Sequence, residues 1–417
     1  MAAKIQISFS KTARRTQPDA LAPLFEMLHH TVQTWRAAGK EFISLAVGAP
    51  ESALLPIDTI AQLAIEAKSR YGADIANYTH PQGFPPFRQV MSQLLQTNGV
   101  QCTPEDMLVT SGGLEALGIG ATLLLDPGDT VITEGPGFVS MLSKFAELGA
   151  HVVQLPVDEH GMDPQALEAA IKKHHPKLLS LMPDYLNPNG AHMPLARRQA
   201  IAGLLKRYDM LALEDGTYSL LRLEGENLPP IQSFAPNHVL YVTSVSKVLA
   251  PSMRLGLLVA PPALIAQAVA YKSAFNMQAS AMNQAVASLF FDTSESSPQH
   301  LARHLDTILP LYRERRDVMT AALKQYFPEG SGYRWTRPQG GMFVWLEGPR
   351  TVNFTDKTNE ALEQGVAYVP GSLFYTPEQQ PAMHNSARLN FASCPTDKIE
   401  AAVRRLAQLM SPQKISS

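Results

Sequence analysis

Short, unbroken apolar runs alternate with amphipathic stretches of helix length from about residue 105 to residue 260. The runs are MLVT (107–110), TVIT (130–133), HVVQL (151–155), LLSLM (178–182), MLALE (210–214), VLYVTS (239–244) and LGLLVA (255–260). A strand covered on one face alternates apolar and polar residues, whereas a strand covered on both faces is apolar throughout. These runs are of the second kind. Between several of them lie helical patterns, such as LEALGIGATLLL (114–125) and PLARRQAIAGLLKRY (194–208). The pattern predicts an α/β fold whose larger part is a mostly parallel, seven-stranded sheet covered by helices. Beyond about residue 300 the texture changes. A long helical pattern (301–326) precedes short strand patterns GMFVWLE (341–347), VAYVP (366–370) and ARLNFA (387–392), and a closing helix (397–410) follows. This predicts a smaller α+β domain over 296–417 beside a large domain over 55–295, with residues 1–54 packing against the small one.

Composition narrows the classes. A chain of 417 residues exceeds one compact core, and 45% hydrophobic with 17% charged residues fits a globular protein. A net charge of −2 with no run of Lys or Arg argues against nucleic acid as a partner. The longest apolar runs, such as Leu117 to Leu125, fall short of a membrane span. Cys102 and Cys394 form no CxxC pair and no disulfide scaffold, the twelve histidines are scattered, and no metal site is expected. The default compartment is the cytoplasm. The basic start, MAAKIQISFSKTARR, lacks an apolar signal segment; with no acid before Asp19 it shares one feature of organellar transit peptides.

Ligands of open α/β sheets sit beyond the carboxyl ends of the strands. Five runs end in small, polar or charged residues: Ser111-Gly112-Gly113, Glu134-Gly135-Pro136-Gly137-Phe138, PDYLNPNG with Asn187, Asp215-Gly216-Thr217-Tyr218, and Ser244-Val245-Ser246-Lys247. Ser111-Gly112-Gly113 before a helix presents backbone N–H groups suited to a phosphate; a tight turn is the alternative. Ser244 and Ser246 add hydroxyls and Arg254 a fixed cation, unless Arg254 is a surface ion pair; its apolar neighbours (PSMRLGLLVA) argue against that. Lys247 ends a buried strand, where its amine is more easily neutral and nucleophilic; a snorkelling structural lysine is the alternative. Asp215 ends another buried strand and needs either a cationic partner or a helix to cap.

At this point the residues resemble the class I/II aminotransferases, the aspartate-aminotransferase-like enzymes of pyridoxal 5'-phosphate (PLP). SVSKVLAPSMRLG (244–256) is similar to the family's lysine motif, NPNG (187–190) to its NP-x-G, and EDGTY (214–218) to the segment holding its aspartate and tyrosine. The resemblance implies that Lys247 holds the cofactor as an imine, Asp215 pairs with the pyridine nitrogen, and Asn187 and Tyr218 reach the ring hydroxyl. TSGGLEAL (110–117) resembles the phosphate turn, and Phe138 falls where the family stacks an aromatic on the ring. Tyr78, in NYTHPQGFPPFR (77–88), would reach the phosphate of a neighbouring subunit, which implies a homodimer. Arg388 would clamp the substrate carboxylate beneath a loop containing Gly48 (SLAVGAPE, 44–51), and RPQGGMFVW (337–345) would line the pocket. Three departures stand out: Asn189 after NP, Gly216-Thr217 in place of an acid and an alanine, and Leu186 before Asn187.

The texture is nearest the branch with 2-aminoadipate, aromatic and kynurenine aminotransferases. The implied activity moves an amino group between an amino acid and a 2-oxo acid such as 2-oxoglutarate, in ping-pong fashion. Lys247, Asp215 and Tyr218 would be catalytic, and Gly48, Asn187 and Arg388 would bind substrate. Two alternatives share these motifs: a PLP-dependent carbon–sulfur β-lyase and a non-catalytic regulatory module. The regulators of this type add a winged helix before the domain, and here about 50 residues precede the site. No second cation for a dicarboxylate is evident, and the pocket candidates Phe25, Tyr78, Met277, Met342 and Phe374 are apolar, which favours hydrophobic or aromatic amino acids.

Overall fold

All seven apolar runs become strands of one sheet. The computed structural model describes residues 8–16 and 19–410. Its strands are β1 (Ile43–Ser44), β2 (Met107–Thr110), β3 (Thr130–Gly135), β4 (His151–Asp158), β5 (Gly161–Met162), β6 (Leu178–Leu181), β7 (Leu211–Asp215), β8 (Val239–Ser244), β9 (Gly256–Val259), β10 (Arg334–Trp335), β11 (Phe343–Glu347), β12 (Val366–Ala367), β13 (Val369–Pro370) and β14 (Ser386–Asn390). The large sheet runs β2-β9-β8-β7-β6-β3-β4-β5. It holds one strand more than the pattern predicts, because β5 is a two-residue hairpin return on β4 and too short to leave a run. Pairing from β8 through β7, β6 and β3 to β4 is parallel, and β9 is antiparallel to both neighbours.

Consecutive residues of these strands feed opposite faces. Val131, Leu178, Leu213 and Leu240 pack under the Gly113–Leu124 and Val139–Leu148 helices, with Ala116, Leu117, Met141 and Phe145. Ile132, Leu179, Ala212 and Val239 pack under the Pro164–His174 and Leu195–Arg207 helices, with Leu167, Ile201 and Leu205. Burying each large side chain contributes about 1.5–3 kcal/mol, so a polar residue on either face would forfeit that gain. This is why the strands read as continuous apolar runs.

The second unit is a four-stranded antiparallel sheet, β10-β11-β14-β13. The helices His300–Tyr326 and Thr396–Met410 pack on each other beside it. The N-terminal segment joins this unit: β1 pairs in parallel with β12, and Leu45 and Asn390 exchange a backbone hydrogen bond of 2.8 Å from Asn390 N–H to Leu45 carbonyl. Residues 1–7 of the basic start lie outside the described residues. Lys11–Arg15 forms a short helix, and Arg15 Nε donates to the Glu147 carbonyl at 3.0 Å.

Among the described residues no helix is long and apolar enough to cross a membrane, and no group of three or more His, Cys, Asp or Glu gathers as for a metal. His300 and His304, one turn apart on a helix, instead flank the ring of Phe290. Cys102 and Cys394 are free and buried, and burial pushes both thiols up to about 12.

Candidate active site

The carboxyl ends of β2, β3, β6, β7 and β8 lie on one edge of the sheet, because all five strands point the same way. That edge therefore gathers Ser111, Phe138, Asn187, Asp215, Tyr218 and Lys247 from segments spread over more than a hundred residues of chain. The small unit faces it with β11 and β14, and the N-terminal segment closes over the junction.

Lys247 follows β8 in a single 3-10 turn (Val245–Lys247). Its Nζ donates to the Gly48 carbonyl at 2.6 Å and lies 6.0 Å from the centre of the Tyr218 ring. Burial pushes the amine down to about 8; Arg388 and Arg254 push the same way, and Asp215 opposes them. Arg388 comes from the middle of β14 and is buried. It donates through Nη1 to Asn187 Oδ1 (2.9 Å) and through Nη2 to the Ala46 carbonyl (2.8 Å). Its guanidinium lies 4.2 Å from the Phe343 ring centre and 5.3 Å from that of Phe374. Its Nε has no partner among the described residues, and burial lowers its pKa to about 10. A buried cation with neutral acceptors and, among the described residues, no carboxylate partner is suited to receive an anion. Gly48 leaves room for one: a Cβ there would stand 3.6 Å from both Arg388 Nη2 and Phe343 Cζ.

Asp215, at the end of β7, is buried, and burial raises its pKa against the donors that lower it. Thr217 gives Oδ1 both its backbone N–H (3.0 Å) and its hydroxyl (2.5 Å). This explains one departure from the family pattern, since the alanine expected at that position has no hydroxyl to give. Gly216 explains itself too, because the Tyr241 hydroxyl occupies the space a Cβ would need. Tyr218 is buried, which raises its phenol pKa, and its ring meets Phe343 edge-on at 5.9 Å. Asn189 closes its own loop by accepting the Ala191 N–H at 3.0 Å.

At the end of β2, Gly112 has φ +102, and a Cβ on it would come 2.6 Å from Arg254 Nη2. Arg254 donates to the Ser111 carbonyl at 2.8 Å. Although Met253 and Leu255 are buried, Arg254 itself is exposed, because its left-handed backbone (φ 48) turns the side chain away from its apolar neighbours. Ser244 Oγ accepts the Ser246 N–H (3.2 Å) and donates to Ser246 Oγ (3.0 Å). Phe138 caps the Val139–Leu148 helix, half-buried. Of the pocket candidates, Phe374 reaches the site, Met342 is core, Phe25 packs with the N-terminal cluster, and Tyr78 and Met277 are 78% and 51% exposed. Phe343, Ala46 and Thr217 belong to the site as well; they lie within RPQGGMFVW, SLAVGAPE and EDGTY, where the resemblance gave them no role of their own. A wide cleft of about 1120 Å³ opens between Gly135–Pro136, Asn189–Gly190 and the 334–339 segment, but Lys247, Asp215 and Arg388 do not line it.

Comparison with known proteins decides the family. The profile of "Aminotransferase class I and II" matches residues 40–406. The chain belongs to the class I and II aminotransferases. This aminotransferase is 30% identical over 380 residues to the aromatic-amino-acid aminotransferase 1 of Thermococcus litoralis, covering 89% of each chain. It is 29% identical to the 2-aminoadipate transaminase of Thermus thermophilus, covering 97% of this chain and 96% of that one. A solved kynurenine aminotransferase of Pyrococcus horikoshii superposes with a TM-score of 0.87 at 30% identity, covering 96% of each chain.

Its cofactor is PLP, and three features of the edge fit that group. The Ser111–Gly113 turn with Arg254 and two serine hydroxyls suits a phosphate. A buried carboxyl with one oxygen already satisfied suits a pyridinium N–H. A buried amine with a depressed pKa suits an aldehyde.

Proposed function

We propose that this aminotransferase moves the amino group of a hydrophobic, aromatic or 2-aminoadipate-like L-amino acid to a 2-oxo acid such as 2-oxoglutarate, in two half-reactions of ping-pong type. The observation that carries the reading is the pairing of Arg388, a buried cation lacking an anion, with Lys247, a buried amine; the Gly48 backbone touches one and neighbours the other. An α-amino acid presents a carboxylate for the first and an amine that can take the place of the second on an aldehyde.

When bound, PLP supplies an aldehyde for amino groups and a ring that accepts an electron pair. The phosphate would rest on the Gly112 and Gly113 N–H groups, the Ser244 and Ser246 hydroxyls and Arg254. Asp215 would hold the proton on the ring nitrogen, and Asn187 and Tyr218 would set the charge on the ring hydroxyl. Phe138 would cover one ring face. Arg388 orients the substrate by its carboxylate, with Asn187 and Gly48 shaping the clamp. Lys247 Nζ would take the α-proton as general base and return it as general acid. The apolar wall of Phe343 and Phe374 supports a hydrophobic or aromatic side chain, as do the names of the relatives.

The direct test is a spectrophotometric screen of single amino acids against the PLP-loaded protein. Phenylalanine, kynurenine or 2-aminoadipate should discharge the visible band, and a 2-oxo acid should restore it. If none does so while cystathionine alone yields a 2-oxo acid, the protein is a carbon–sulfur lyase instead. The amine of Lys247 gives a second expectation. Below pH 8 its ammonium form dominates and cannot attack an aldehyde; above it the neutral amine dominates. The rate at which the apoprotein takes up PLP should therefore rise with pH to a midpoint near 8. A midpoint near the ordinary lysine value in stopped-flow traces would sink this assignment.

We also infer a homodimer in which Tyr78 reaches the neighbouring site. Thr79 N–H donates to Gln278 Oε1 at 2.5 Å, which joins the segment of exposed Tyr78 to the segment of exposed Phe275 and Met277. Sedimentation at the monomer mass of 45.5 kDa would remove this part of the reading.

A further inference from the structure

Behind the Ser111–Gly113 turn lies an ion pair that the proposed chemistry does not use. Lys272, on the Pro262–Phe275 helix, is fully buried. Its Nζ lies 3.1 and 3.3 Å from the two oxygens of Glu115 and 2.6 Å from Asn276 Oδ1, so its three donors are all engaged. Glu115 sits in the first turn of the Gly113–Leu124 helix, and its carboxylate accepts the Ser111 N–H and an N–H of Asn276.

A carboxylate here has two opposed effects. It suits the positive end of the helix and fixes the backbone of Ser111. It also places a negative charge beside the turn where a phosphate dianion would lie, and repels it. The pair is too well covered for solvent to screen it, with side-chain exposures of 0% for Lys272 and 19% for Glu115. Among the described residues Lys272 is the one ion-pair partner of Glu115.

We infer that Lys272 is a positioning residue for the cofactor. It cancels the charge of Glu115 while leaving Glu115 free to hold Ser111, so the Gly112 and Gly113 N–H groups and Arg254 act on the phosphate undiminished. The inference rests on the placement of the phosphate proposed above. Its signature is electrostatic and specific to the phosphate, which a merely structural brace would not produce.

The test titrates the full-length apoprotein with PLP, and separately with pyridoxal, which lacks the phosphate, following the visible band. Lys272→Met should weaken PLP binding by about tenfold or more, because Glu115 is left uncompensated. Glu115→Gln keeps an acceptor for Ser111 and removes the charge, so it should bind PLP at least as tightly as the wild type. The double variant should recover to within about threefold of Glu115→Gln, since it restores neutrality and removes any buried unpaired carboxylate that unsettles Lys272→Met. Pyridoxal binding should change little throughout. Equal affinity in Lys272→Met and wild type overturns the inference, as does equal loss of PLP and pyridoxal, or a double variant no better than Lys272→Met. A wild-type protein that takes up no PLP overturns the proposed function instead.

Discussion

Lys247→Ala should lower turnover by at least about ten-thousand-fold, since one substitution removes both the proposed anchor of the cofactor and the proposed carrier of the α-proton. The visible band of the PLP-loaded protein should vanish with it. The fold should not suffer. Nζ is held in a buried place beside two arginines, where its charged form is disfavoured. Removing it relieves that cost at the loss of one bond to the Gly48 carbonyl. The melting temperature of the apoprotein should therefore stay level or rise, the usual exchange of stability for function at a buried ionisable group. Calorimetry, absorbance and turnover on the same preparation separate the effects. A variant that keeps turnover and colour refutes the role of Lys247.

Asp215→Asn should lower kcat by roughly 10²–10³-fold or more while leaving substrate affinity within a few-fold. Asparagine keeps an oxygen for the two Thr217 donors, so the local turn survives. What it cannot keep is the charge proposed to hold a proton on the ring nitrogen, and without that proton the ring would be a weaker electron acceptor. A cofactor methylated at that nitrogen carries its charge without a proton and should restore part of the lost rate in the variant. If kcat is unchanged, or the methylated cofactor gives the variant no gain, Asp215 does not act in this way.

The sheet was legible because two covered faces demand a continuous apolar run, and Val131-Ile132 and Leu178-Leu179 each serve both faces. The edge followed from the strands, since parallel pairing puts the residues after each run on one side. What escaped was whatever depends on distant partners. Arg388 meets Asn187 across 201 residues of chain, and only family resemblance pointed to that arginine. Thr217 and Gly216 looked like departures until Asp215 and Tyr241 gave each a reason. Phe343 and Glu115 lie inside segments the resemblance marked, RPQGGMFVW and TSGGLEAL, but nothing in either segment singled them out, and Lys272 belongs to no motif. A buried lysine on a largely apolar helix gives no sign in sequence of the acid that receives it.

The place of β9 has a consequence for a growing chain. This strand sits between β2 and β8, so β2 has no partner in the sheet, and Gly112 lacks its close packing on Gly256, until residues 256–259 have been made. The loop between β2 and β9 must close over about 150 residues, a slow non-local step. A nascent chain arrested before Gly256 would hold seven of the eight strands and most of the helices of the large sheet yet grip no phosphate, whereas one that had emerged past Phe275, with Lys272 in place, could.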